Sequence, residues 1–221
     1  MKRTKALSLI LCGAMALSLT GCMGGSKVSP NALYSYAKSD GAVVFDNIDE
    51  MKDAFEDDEV EDSIEDDGVA LMLGVDELTE AMEDKDADLD TFNQFINDDM
   101  EEITIYMKKI SSGNQLVAIA ASFEDEDDAE DFYEKYESQF SSYAQLYGGV
   151  DSGEDGGIEY STVALNEYGY TLGMGVYRDG CYTLIITQSA SKGSIKELYD
   201  MCESMDLPMA ETKNSDDDDD D

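Results

Sequence analysis

The stretch ITIYMKKISSGNQLVAIAASFEDEDDAEDFYEKYESQFSSYAQLY, residues 103–147, decides the fold class. Ile103, Ile105 and Met107 alternate with Thr104, Tyr106 and Lys108, the period-two pattern of a strand with two unlike faces. Ser111-Ser112-Gly113-Asn114 supplies turn chemistry and the apolar run Leu116 to Phe123 follows, so the pair reads as a hairpin. The period then changes. Ala129, Phe132, Tyr133, Tyr136, Phe140, Tyr143 and Tyr147 recur every three or four residues, which predicts a long amphipathic helix. Glu124 to Asp128 places negative charge at its positive end.

Downstream, GGVDSGEDGG (148–157) reads as a flexible link into three strands, Ile158–Leu165, Tyr170–Tyr177 and Cys181–Thr187, separated by turns at Asn166–Gly169 and Arg178–Gly180. Ser194-Ile195-Lys196-Glu197 has the spacing of a capping box, with Ile195, Leu198, Tyr199, Cys202 and Met205 as the buried stripe of a final helix that Pro208 follows. The order ββαβββα predicts an α+β domain over 101–208: an antiparallel sheet of about five strands with two amphipathic helices on one face. Upstream, 31–100 reads as an acidic, mainly helical segment. Ser29-Pro30 fits a helix start with Ser29 as cap, and Val69 to Val75 fits either a strand or the start of a helix. Residues 209–221, ending in Asp216 to Asp221, read as a disordered acidic tail.

The first 22 residues, MKRTKALSLILCGAMALSLTGC, carry Lys2, Arg3 and Lys5 ahead of an apolar run from Ala6 to Leu19, the layout of an export signal. Their end, Leu19-Thr20-Gly21-Cys22, resembles the lipobox of bacterial lipoproteins. The resemblance covers the leader alone. It implies cleavage after residue 21, acylation of Cys22 with a diacylglycerol bearing palmitate-type chains, and a place on the extracytoplasmic face of the cell membrane. Two chains hold stably where one binds only marginally. Residues 22–30 then read as a flexible tether.

The whole chain has 221 residues with 52 acidic and 14 basic side chains, a net charge of −38. Losing Lys2, Arg3 and Lys5 with the leader leaves 11 basic groups against the same 52 acids, a net of −41. Nucleic acid is excluded as a partner, because phosphate binding needs clustered Lys and Arg. Anionic lipid repels such a chain, so the lipid must hold it at the membrane, and divalent cations are expected to screen it diffusely. There is no histidine, which removes His-dependent triads and the usual neutral-pH base.

Candidate site residues fall into four groups. Gly169, Gly173 and Gly175 leave one side of the strand around Tyr170 nearly bare; the face is expected either to lie under the N-terminal segment or, rimmed by Tyr160, Tyr177 and Tyr182, to be a shallow groove for a peptide, glycan or lipid tail. Asp86, Asp88 and Asp90 imitate the first ligands of a calcium loop, but Thr91 and Asn97 stand where Gly and a closing Glu are required, so a solvated acidic loop is expected. Cys181 and Cys202 are expected either to bridge or to be two buried thiols. No motif calls for a cofactor and no carboxylate pair is singled out, so the expectation is a non-enzymatic binding or protein-interaction module. Its alternatives are a carboxylate-dependent envelope hydrolase, recognisable if two acids converge in a concave pocket, and a purely structural component.

Overall fold

A computed structural model describes residues 25–54, 67–83, 96–97, 99–111, 114–147, 150–167, 170–191 and 194–211. Eight strands occur among them: β1 (Val43–Phe45), β2 (Val69–Gly74), β3 (Met100–Ser111), β4 (Asn114–Phe123), β5 (Val150–Asp155), β6 (Ile158–Glu167), β7 (Tyr170–Asp179) and β8 (Tyr182–Ser191). Five helices accompany them: α1 (Pro30–Ser39), α2 (Ile48–Ala54), α3 (Val75–Glu83), α4 (Glu126–Tyr147) and α5 (Lys196–Met205). The strands form one open sheet in the order β1-β2-β3-β4-β8-β7-β6-β5. Every neighbouring pair is antiparallel except β1 with β2.

The hairpin and meander stand as the periodicity predicts, with Ile105 opposite Ile119 and Val163 opposite Met174. The count of about five strands falls short. Val69–Gly74 is a strand and the helix begins at Val75, while Val43–Phe45 adds an edge. The Gly-bearing 148–157 link contains β5, whose six residues are all exposed. A strand with no buried face shows no alternation, so hydropathy cannot reveal it.

The helices do not share one face, which corrects a second expectation. Phe132, Tyr133, Tyr136 and Phe140 of α4, with α2 and α3, cover Leu71, Ile105, Ile119, Val163, Val176 and Ile185. Leu198, Met201, Cys202 and Met205 of α5, with Leu33 and Ala37 of α1, cover the other side at Tyr106, Leu116, Ala118, Ala164, Leu184 and Ile186. Both sheet faces carry apolar side chains, and each must be buried. The layers are therefore helix, sheet, helix.

Local capping explains where two of the helices stop and start. Ser29 does cap α1, its Oγ accepting the Ala32 amide at 3.3 Å. The Ser194 capping box does not form: Ile195 precedes α5 and has no side-chain cap. The sheet supplies one instead. Fully buried Gln188 of β8 accepts the Leu198 amide at 2.8 Å through Oε1 and donates to Asn114 Oδ1 at 2.9 Å. Asp206, at φ 54°, closes α5 in the left-handed conformation.

Neither end of the chain behaves as a loose segment up to the last described residue. Ser26, Val28 and Ser29 are buried, so the stretch read as tether is built into the domain from Ser26 onward. Past α5, Leu207 and Ala210 are buried; Tyr177 Oη donates to the Pro208 carbonyl at 2.8 Å, Tyr199 Oη to the Ala210 carbonyl at 3.0 Å, and the Ala210 amide to Thr162 Oγ1 at 2.9 Å. That strap replaces the start of the expected tail; residues 212–221 lie outside the described residues.

Candidate functional site

The glycine face is closed rather than open. A Cβ on Gly173 would stand 2.6 Å from Ile195 Cδ1 and 3.2 Å from Leu198 Cδ1, so α5 lies directly on the bare strand. At Gly175 it would stand 2.6 Å from Tyr177 Oη, because the Tyr177 ring folds back over that glycine. Tyr177 is fully buried and is no rim residue. Tyr182 is half-buried, and half-buried Tyr160 lies across Gly153 of β5. The small-residue stripe thus lets a helix approach the sheet closely, and the covering element is the C-terminal helix, not the N-terminal segment. Gly169, Cys22 and the Asp86, Asp88, Asp90 trio lie outside the described residues.

Of the two expectations for Cys181 and Cys202, a bridge or two buried thiols, neither holds in full. Cys202 of α5 is a buried free thiol, and Cys181 is disulfide-bonded with its partner outside the described residues. Burial pushes the Cys202 thiol up to about 11, a rise that the Tyr177 hydroxyl beside it partly offsets. Burial first, then the neighbouring Cys202, raise the Tyr177 phenol as well. Both groups hold their protons more tightly in the folded chain than in the unfolded one. The Tyr177 contribution is therefore complete below the ordinary phenol value of 10.0, and the Cys202 contribution is complete below the ordinary thiol value of 9.0 and is lost as pH climbs through about 11. Urea unfolding should show stability falling by on the order of 2 kcal/mol across that window, with a shallower fall in Cys202→Ala. Equal slopes in the two proteins would contradict the assignment.

A concave site lies elsewhere, between α4 and the β5–β6 edge. The cavity, about 390 Å³, is lined by Glu130, Tyr133, Glu134 and Glu137 from the helix and by Ser152, Gly153, Glu154, Glu159 and Tyr160 from the strands. The spacing 130, 134, 137 puts three carboxylates on one flank of α4 while Phe132, Tyr136 and Phe140 face the sheet. On the strands, Glu159 pairs across with Glu154, which brings both to the same side. Arg178 of β7 neighbours Glu159 in register; its Nε donates to Glu159 Oε2 at 2.7 Å, and its Nη2 lies 3.9 Å from Glu130 Oε2. Among the described residues no cation pairs with Glu134, Glu137 or Glu154. Burial, then the charges of Glu137 and Glu159, raise the Tyr133 phenol, with Arg178 opposing, so it stays a proton donor. The floor is a neutralised Arg–Glu pair and the walls are unpaired carboxylates and Tyr133, a set suited to ammonium or guanidinium groups.

Sequence reasoning named Tyr160 as a rim residue of the glycine face rather than of this groove and missed the glutamates, since their stripe looked like any solvated helix flank and their strand partners sat in or beside an unrecognised strand. A second polar cluster has a structural task. Asp40 at the end of α1 accepts from Tyr106 Oη at 2.8 Å and from Lys108 Nζ at 2.7 Å, and Lys108 lies 3.7 Å from Glu197 of α5. Burial alone would lower the Lys108 pKa; the hydrogen bond and charge of Asp40, with Glu197, raise it instead. The cluster ties α1 and α5 to the sheet. Among the described residues no helix is long and apolar enough to cross a membrane. No family model, no curated protein and no solved structure matches this chain.

Proposed function

We propose that the chain is a lipid-anchored protein on the extracytoplasmic face of a bacterial membrane, acting by contact rather than catalysis, and that the α4/β5–β6 groove takes a cationic, extended segment of a partner. The anchoring half of the reading rests on Leu19-Thr20-Gly21-Cys22. The binding half rests on one observation: β5 ends the sheet, all six of its residues are exposed, and it runs beside the groove's carboxylates. An edge strand offers backbone donors and acceptors for strand addition, and alternate Lys or Arg side chains would then face Glu134, Glu137 and Glu154.

The hydrolase alternative gains from the convergence of carboxylates in a concave site. Weighing against it, the Glu130 and Glu159 side chains are 51% and 42% exposed and are already held by Arg178. A general acid at neutral pH needs shielding from water.

Two measurements test the proposal. Labelled palmitate should mark the parent and not Cys22→Ala. An unlabelled parent retaining its leader would overturn the anchor. An alternating Lys-Val peptide should bind the groove, and Glu134→Lys with Glu137→Lys should weaken binding at least about tenfold, each unit charge contact being worth roughly 1 kcal/mol or less at an exposed site. Affinity unchanged by the double reversal would remove the groove from the account.

A further inference from the structure

The chain leaves the domain at one identifiable place. Ser29 Oγ donates to the Ser26 carbonyl at 2.9 Å, the Val28 amide donates to Ser26 Oγ at 3.2 Å, and Lys27 pairs with Asp206 at the end of α5. Ser26 is therefore the first of the described residues that hydrogen bonds hold in the fold, and only Met23, Gly24 and Gly25 separate it from Cys22. Four peptide links reach at most about 14 Å. The site of attachment is one end of the sheet. Thr104 near the start of β3 donates to the Pro30 carbonyl at 3.0 Å, and the start of β3 pairs with the end of β4. The register carries that end across to the start of β8, the end of β7, the start of β6 and the end of β5.

Resting on the lipid anchor proposed above, we infer that the domain stands on the bilayer with this rim toward the headgroups, and presents the end of β6 and the start of β7 outward. The rim comprises the Glu124–Glu126 corner, the Gly156–Gly157 turn, Asp179–Gly180 and the Lys27–Asp206 pair. Electrostatics sets the direction. A body of net charge −41 tethered at one point is repelled by an anionic surface, so its charge moves as far away as the tether allows and the attachment point becomes the lowest point. The rim itself carries Glu124, Asp125, Glu126, Asp179 and Asp206, so it is the position of the tether, not the charge of the rim, that puts it lowest. Tyr170, 55% exposed, sits at the far end.

The test uses the lipidated full chain in vesicles of mixed phosphatidylcholine and phosphatidylglycerol with an acceptor dye on a trace of headgroups. Donor dyes are attached to Asp155→Cys or Asn166→Cys in a Cys181→Ser, Cys202→Ala background. These exposed positions lie about eight strand residues apart, roughly 25 Å along the strand direction. Energy transfer should be several-fold greater from 155 than from 166, and a long Gly-Ser insertion after Gly24 should abolish the difference. A second measurement needs no substitution: carbodiimide footprinting of the native chain should show Asp155 and Asp179 protected at least twofold on vesicles relative to detergent, with Asn166-side acids and Glu197 unchanged. Equal or reversed transfer, or uniform footprints, from protein that floats with the vesicles would overturn the orientation. Protein that does not float would overturn the anchor instead.

Discussion

Gly175→Val should cost the fold about 3 kcal/mol or more in urea unfolding, more than any exposed substitution on the molecule. The added Cβ would stand 2.6 to 2.8 Å from Oη, Cε2 and Cζ of Tyr177. That ring cannot step aside, because it is fully buried and its hydroxyl holds the Pro208 carbonyl at 2.8 Å. Moving it breaks the bond, worth roughly 1 kcal/mol, and loosens the C-terminal strap. Better strand propensity of valine returns at most about 1 kcal/mol. Gly173→Val should also destabilise, but less, since its nearest neighbours are the methyl ends of Ile195 and Leu198, which can rotate. Because Gly175 and Tyr177 share one space, Tyr177→Leu made on top of Gly175→Val should cost less than the two separate losses combined. A Gly175→Val protein as stable as the parent would mean that the ring does not lie where the geometry puts it.

Phe123→Ala should cost about 4 kcal/mol. Phe123 is 1% exposed at the end of β4, its ring centroid 5.4 Å from that of Phe132, which in turn lies 4.8 Å from Tyr136. Truncation leaves a void where β4, α4 and the sheet meet, and backbone hydrogen bonding on both sides, including Phe123 N–H to the Cys181 carbonyl at 3.0 Å, prevents collapse into it. Tyr170→Ala, 55% exposed at the start, should change stability by under about 0.5 kcal/mol. If the two variants unfolded at the same urea concentration, the aromatic cluster would not be the core element described.

Much of the fold was legible because α4 shows the 3.6-residue period of one-sided burial, and the hairpin and meander are apolar or alternating runs bounded by turn residues even though both sheet faces are covered. The same reasoning passed over β5, which has no buried side, and gave Val69–Val75 two readings, because a run buried on both faces has no period. The capping box at Ser194 failed for a tertiary reason: Gln188, far away in sequence, was already placed to satisfy the Leu198 amide. The candidate site was less legible than the fold. Glu130, Glu134 and Glu137 are visible as a helix stripe, but in a chain with 52 acids a stripe of three is unremarkable until Glu154, Glu159 and Arg178 are brought against it.

The chain by itself determined its charge, its lack of histidine and its α+β class, because each follows from residue identity or from spacings within one element. Tertiary structure alone decided that α4 and α5 lie on opposite faces, that the glycine strand is roofed by α5, that Cys202 stays unpaired, and that a groove of glutamates opens beside β5. Those outcomes depend on which long-range surfaces exclude the most water together, and no local period encodes that choice.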